Sequence, residues 1–396
     1  MQGHIHKRES VNRAGRKKNL WYVVIDLGRN AEGKRRQKWH GSFPSRKAAE
    51  ICRAELVSQF HQGTYVEPSS MTLEQWVNDT WLASLRTQVK PSTWDSYARN
   101  FRLHLLPRLG HWRLRDLNAS MLNGVYGELL ESGKLNGNGG GLSAKTVRYL
   151  HTTLHKALVD AVDAGLIKTN PAARARPPKP EKTSTGELRF WTPDQLRDFL
   201  DSVAGTRLEA AWRLAAMTGM RRGEVLGLRW SDLDVDAASL AVRHTIISVA
   251  YQVRESKPKT HNARVIDLDA RTVELLVAHR DRQRIEKCIE GTNYLDLDLV
   301  FCRQNGNPIH PDSFSQRFER SIAKTDLPRI RLHDLRHTHA TIALRAKVPV
   351  KVISERLGHG SPAFTLAQYA HALPGMQAEA AAQIAALIAH ETSAYA

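Results

Sequence analysis

Tyr369 is the residue whose chemistry depends most on its company, and three short stretches rich in arginine, histidine and lysine precede it, the first opening at Thr218. A phenol has a pKa of about 10, so at neutral pH it is a poor nucleophile. It becomes a useful one where cations lower the cost of the phenolate and stabilise a charged phosphoryl transition state. Tyr369 follows Leu357-Gly358-His359 by ten residues: Gly358 would end one helix and Tyr369 would sit in the next. By itself Tyr369 reads as a core tyrosine on an amphipathic helix beside Leu366 and Ala370, as most lone tyrosines do.

The other stretches supply the cations. In Thr218-Gly219-Met220-Arg221-Arg222-Gly223-Glu224, Gly219 ends a helix and Arg221 opens the next. The free N–H groups of a helix start favour an anion, and an adjacent arginine strengthens that site. The alternative is a capped helix with Arg221 paired to Glu224. In His333-Asp334-Leu335-Arg336-His337-Thr338-His339, His333 and Arg336 are three apart on one helix face and could cradle a phosphate. His333, His337 and His339 also raise a metal reading. It is the weaker one, because the glutamate of H-E-x-x-H is missing and Arg336 would oppose a dication. Lys257-Pro258-Lys259-Thr260-His261-Asn262-Ala263-Arg264 falls between two strand-like runs. A lysine at such a tip could protonate a leaving oxygen, or the stretch could be a solvated turn. Gly139 to Thr146 nearly matches a P-loop, but Ala144 replaces a required glycine and the stretch follows a helix, so a nucleotide-binding reading fails.

Helices and strands must bring these stretches together. Residues 1–18 are polar and basic and read as a mobile arm. Trp21–Leu27 and Arg35–Phe43 read as a hairpin, followed by a helix from Ser45 to about Gln62, a combination that fits a DNA groove. Helical periodicity predicts helices over 72–85, 92–105, 119–131 and 143–164, with Ser92, Ser120 and Ser143 as caps and a flexible glycine-rich loop at 134–141. Asn170–Thr185, with four prolines and four basic residues, reads as an extended linker. Beyond Phe190 the pattern predicts a helix opening at Pro193 and helices over Leu208–Met217 and Arg222–Leu228. Strands follow over Leu240–Val249 and Val265–Leu268, then helices near 270–288, 312–324, 333–346, 350–357 and 362–371, and an alanine-rich helical tail at Gln377–His390. The fold expected is multidomain and mainly α. A small sheet-plus-helix domain (1–66) precedes a four-helix domain (67–175), a linker (176–189) and an α+β domain (190–396).

The whole composition is that of a globular chain, 41% hydrophobic and 25% charged over 396 residues. The net charge is +18, and residues 1–66 contribute half of it, with fourteen Lys and Arg against five Asp and Glu. Nucleic acid is the commonest polyanion such a surface meets. The three cysteines, Cys52, Cys288 and Cys302, are scattered and unpaired in sequence, which argues against a disulfide framework or zinc ribbon. No apolar stretch reaches the length of a membrane span and no signal-peptide core is present, so a cytoplasmic location is expected.

The combination and order of these motifs resembles the tyrosine recombinase or phage integrase family: T-G-M-R-R-G-E, P-K-T-H-N-A-R-V-I-D-L, H-D-L-R-H-T-H-A-T and L-G-H followed by Tyr369. The match covers about 190–375. Residues 72–175 resemble that family's core-site DNA-binding domain and the first 65 its arm-site-binding domain. The resemblance implies Tyr369 as nucleophile and Arg221 and Arg336 on the scissile phosphate. It implies His333 assisting proton transfer from Tyr369, His359 stabilising the transition state, and Lys259 (or Lys257) as general acid. Glu224 would orient Arg221. Arg35, Arg36, Lys38, Lys90, Thr93, Lys145 and Arg148 are candidate DNA contacts. It further implies double-stranded DNA as partner, a homotetramer on DNA, a DNA-bending host factor and an excisionase, and a bacterial, nucleoid-associated setting. Neither metal nor cofactor is needed, because the covalent link keeps the energy of the phosphodiester. A type IB-like topoisomerase and a non-catalytic regulator of the same fold are the alternatives.

Overall fold

The computed structural model of the chain describes residues 3–11, 17–29, 33–62, 70–135, 137, 139–180, 189–256, 264–369, 381–382 and 384–386. The chain divides into two compact units, residues 1–181 and 182–396.

In the first unit, three antiparallel strands in the order β1 (Gly3–Val11), β2 (Lys17–Arg29) and β3 (Arg35–Phe43) pack on helix α1 (Arg46–His61). Val23 and Ile25 point inward from β2 against Ala49 of α1, and Ser45 caps the helix by accepting a hydrogen bond from the Ala48 N–H at 3.2 Å. The expected mobile arm is corrected over residues 3–11. His4, His6, Lys7 and Arg8 disguise a strand whose backbone pairs with β2 from Gly3↔Ile25 to Val11↔Lys17.

Four helices follow: α2 (73–85), α3 (91–109), α4 (Ala119–Ser132) and α5 (Ala144–Asp163). Their buried Trp76, Trp81, Phe101, Leu150 and Leu154 form one core. The indole N–H of Trp81 donates to Asp160 at 2.7 Å and that of Trp76 to the Ala157 carbonyl at 3.0 Å, so both large rings are buried with their polar atoms satisfied. Two expected caps move. Helix α3 opens with Pro91 at its first position and Lys90 before it, and α4 is capped by Asn118, whose side chain accepts from the Met121 N–H. Ser143 caps α5 as expected. The glycine-rich stretch folds back on α4, with the Leu142 N–H donating to the Leu129 carbonyl at 2.8 Å.

The second unit opens with α6 (Pro193–Ser202), held by a capping box between Thr192 and Gln195. Helices α7 (Glu209–Thr218) and α8 (Arg222–Leu226) meet at Gly219. A sheet in the order β4 (Leu233–Asp234), β5 (Ser239–Val242), β8 (Arg264–Asp267) and a separate hairpin of β6 (Thr245–Val249) and β7 (Gln252–Ser256) follow. The single strand expected at Leu240–Val249 is therefore two strands in different sheets. The chain breaks at Arg243 and His244, which pair with Asp232 and Glu255. Then come α9 (Ala270–Glu290), α10 (Pro311–Ile322), α11 (Asp334–Arg345), α12 (Val350–Leu357) and α13 (Pro362–Tyr369). Trp191, Phe199, Trp212, Phe314 and Phe318 stack through the core. Each aromatic buried this way contributes about 1.5–3 kcal/mol by area alone. Of the expected C-terminal helix, Gln377–His390, only 381–382 and 384–386 are described, and these are helical. Among the described residues no helix is long and apolar enough to cross a membrane.

Candidate active site

Two left-handed glycines set the frame. Gly219 (φ +63°) ends α7 and Gly358 (φ +66°) ends α12, each turning the chain where a side chain would strain the backbone. Arg336 on α11 lies between the two turns. Its Nη1 donates to the Gly219 carbonyl at 2.8 Å and its Nη2 to the Leu357 carbonyl at 2.7 Å. Arg221 precedes α8 and donates through Nη2 to the next carbonyl along, Gly358, at 3.2 Å. Two guanidinium groups are thereby fixed on consecutive carbonyls. Arg336 is only 4% exposed, and burial, helped by the nearby Arg221, brings its pKa down to about 10.

Glu224 orders the arginines from beneath. It is 2% exposed. One oxygen accepts from the Arg221 backbone N–H and the other from Arg221 Nη1, both at 2.9 Å. Arg264, at the start of β8, donates to the same carboxylate through Nη2 at 2.6 Å and Nη1 at 3.2 Å, and through Nε to the Arg356 carbonyl at 2.9 Å. Burial alone would raise the Glu224 pKa; its bonds to Arg264 and then Arg221 outweigh that and hold it below the usual carboxylate value. Two guanidinium groups thus share one carboxylate, and Arg336 adds a third positive charge nearby, leaving an excess of fixed positive charge. Phosphate oxygens match such a site, since guanidinium forks bind them bidentately.

The imidazoles and the phenol sit beside this charge. His359 follows Gly358, and its Nδ1 lies 2.7 Å from the buried Thr365 hydroxyl. Burial, then the charges of Arg336 and Arg221, push its pKa down to about 4. Tyr369 closes α13, 1% exposed, packed with Ala340, Leu344, Ile353 and Leu357. Burial raises its pKa, and Arg336 opposes that rise. The Tyr369 hydroxyl lies 2.9 Å from His337 Nδ1. His333, placed just before α11, stands edge-on to the His337 ring with centroids 5.2 Å apart. The sequence expectation gave His333 the phenolic proton; the imidazole at hydrogen-bond distance is His337.

The structure therefore gathers Arg221, Arg336, His359, Glu224 and Tyr369 around two turns, with His333 behind His337. Lys257 and Lys259 lie outside the described residues. Sequence reasoning missed two neighbours. Arg264 entered only as the last residue of the lysine-bearing stretch, and its bonds to the buried Glu224 were not foreseen. His337 entered only as a possible metal ligand, although its spacing from His333 already put both on one helix face. Among the described residues no three His, Cys, Asp or Glu side chains gather as a metal-binding group. Of the candidate DNA contacts, Arg35 is bonded to Asp26 at 2.6 Å and lies with Arg36 and Lys38 on β3. Lys90 and Thr93 lie at the start of α3, and Lys145 and Arg148 are exposed in the first turns of α5.

The sequence profile of the phage integrase family matches residues 189–375, which hold Arg221, Glu224, Arg264, His333, Arg336, His337, His359 and Tyr369. That of the phage integrase N-terminal SAM-like domain matches 72–129, and that of an arm DNA-binding domain 10–60. A XerC-like tyrosine recombinase of Caldanaerobacter subterraneus is 28% identical over 382 residues, 92% of this chain and 95% of the relative. The ICEBs1 integrase of Bacillus subtilis is 26% identical, over 85% of this chain and 89% of its own. In fold, the Tn1549 transposon integrase bound to transposon right end DNA aligns with a TM-score of 0.64 at 23% identity, over 78% of this chain and 98% of that one. A lambda integrase tetramer bound to a Holliday junction aligns at 0.55 and 19% identity, over 91% and 94%.

Proposed function

We propose that this chain, which belongs to the phage integrase family, is a site-specific DNA recombinase that cuts and rejoins duplex DNA through a phosphotyrosine link at Tyr369. The observation that carries the reading is the pair of guanidinium groups, Arg221 and Arg336, tied to the consecutive carbonyls of Leu357 and Gly358 in the turn that leads to Tyr369.

In this reading a scissile phosphate docks on Arg221 and Arg336 through its non-bridging oxygens. Glu224 and Arg264 keep Arg221 in place. Two oriented forks in a partly buried site stabilise the charge of the transition state with little reorganisation. His359, neutral before DNA arrives, donates to an oxygen of the phosphate, and His333 assists proton transfer from Tyr369. Tyr369 attacks phosphorus, giving a 3′-phosphotyrosine and a free 5′-hydroxyl. Lys259, or Lys257 beside it, serves as the acid for that leaving oxygen. The bond energy stays in the tyrosyl ester, so rejoining to a partner strand is energetically even and passes through a Holliday junction.

The rest of the chain serves DNA. Residues 1–66 act as an arm-site module, 67–175 as a core-site module, 176–189 as a basic linker, and 190–396 as the catalytic part with a C-terminal helix that packs on a neighbouring protomer. Four copies assemble on DNA in the bacterial cytoplasm, to integrate or excise a phage or mobile element, with a DNA-bending factor and an excisionase as accessory partners. The relatives, a transposon integrase and a lambda integrase tetramer on a Holliday junction among them, support this assembly.

Tyr369→Phe tests the reading. It removes only the hydroxyl, so it should bind target duplex in a gel shift while forming no covalent complex that survives denaturation. A covalent complex from that variant at wild-type yield would overturn the assignment.

A further inference from the structure

We propose that His337 takes the proton from Tyr369 as the phenol oxygen attacks phosphorus, and returns it when the strand is rejoined; the inference rests on the recombinase reading above. The imidazole in contact with the reacting oxygen is His337, its Nδ1 2.9 Å from the Tyr369 hydroxyl. A general base has to be within hydrogen-bond reach of the proton it removes, which is about 2.6–3.2 Å between heavy atoms. His333 supports the arrangement from behind, its ring edge-on to His337.

Position and protonation state both suit the role. His337 follows Arg336 on α11, whose side chain is tied to the Gly219 and Leu357 carbonyls, so the backbone carrying the imidazole is fixed relative to the phosphate-binding turns. The phenol is 1% exposed and packs with the aliphatic Ala340, Leu344, Ile353 and Leu357. A proton leaving it needs an acceptor already in place, because bulk water has no ready access. Burial and the neighbouring His333 push the His337 pKa down to about 4, so the ring is neutral and able to accept. With Nδ1 as acceptor, its hydrogen is on Nε2.

The step balances. A lone pair of Tyr369 Oη forms the bond to phosphorus, and the bond from phosphorus to the 5′ oxygen breaks. The phenolic proton passes to His337 Nδ1, and the departing 5′ oxygen takes its proton from a separate acid. Rejoining runs these movements backwards, with the His337 imidazolium as the acid that frees the phenol. No oxidant, reductant or metal enters.

The test uses the full chain and a nicked suicide duplex spanning the junction between the element and its chromosome. Two versions of the duplex are compared, one with an ordinary scissile phosphate and one with a 5′-bridging sulfur. The sulfur leaves without needing a proton, so it isolates activation of the nucleophile. His337→Asn keeps a hydrogen-bonding amide near the phenol but cannot carry the proton. It should retain DNA binding and form the covalent complex at least ~100-fold more slowly on both duplexes, the scale of lost general base catalysis. A rate within threefold of wild type on either duplex would overturn the proposal, since recovery on the sulfur duplex would place His337 at the leaving group. If the asparagine variant fails to bind DNA, His337→Gln is held to the same two criteria. Tyr369→Phe is run alongside. A covalent complex from it would sink the recombinase reading itself, whereas wild-type behaviour of the His337 variants with an inert Tyr369→Phe would sink only the role of His337.

Discussion

Arg336 uses both terminal nitrogens on backbone carbonyls from different turns, and that geometry predicts what a lysine there would do. An ammonium is a point charge that can reach Gly219 or Leu357 but cannot bridge them as the planar fork does. Arg336→Lys should leave one buried carbonyl unpaired, costing about 1–3 kcal/mol in denaturant unfolding. It should slow covalent-complex formation by roughly 100-fold or more, the scale of losing one aligned donor to a developing charge. A rate near wild type would remove Arg336 from the phosphate. At this scale the sequence was readable where short motifs limit the chemistry: Arg221, Arg336, His359 and Tyr369 were named from their motifs and the family resemblance these carry, and the fold gathers them. Arg264 and His337 were not readable as site residues. Their roles come from contacts across 40 and 32 residues of chain, to Glu224 and Tyr369, which no local pattern encodes.

The turn between α12 and α13 is the element on which most of these contacts converge. Leu357 and Gly358 give carbonyls to Arg336 and Arg221, and His359 follows at once. A Cβ on Gly358 would lie 2.9 Å from Arg264 Nη1, at a φ of +66° that L-residues rarely adopt. Gly358→Ala should cost about 1–2 kcal/mol of stability from the backbone alone. By displacing Arg264 it should also loosen the Glu224 cluster, so covalent-complex formation should fall more than unfolding stability does. Equal stability and activity to wild type would show that the turn tolerates a side chain. Helices of the second unit were legible because their apolar spacing and glycine stops are local. Strands β7 and β1 were not. The turn joining β6 and β7 is Ala250-Tyr251, with φ of +49° and +64°, where glycine or asparagine would have advertised it. Its Tyr251 ring, 79% exposed, rests on His310 instead. Strand β1 hid behind a polar, basic sequence whose partner is supplied by β2.

Across the whole molecule, charge is divided between recognition and chemistry. Half of the +18 lies in residues 1–66, while Arg221, Arg264 and Arg336 are drawn into a small volume of the second unit around one carboxylate. The order of the motifs was legible in the sequence because each is short and chemically distinctive. Their convergence was not, since it depends on turns at Gly219 and Gly358 that set three helices against one another. Whether Tyr369 becomes joined to DNA is decided by trapping on a nicked suicide duplex followed by mass spectrometry of the linked peptide. A single nucleotide-bearing peptide is expected, containing Tyr369 joined through its phenolic oxygen to a 3′-phosphate. A linkage at another side chain, or at a 5′-phosphate, would contradict that expectation.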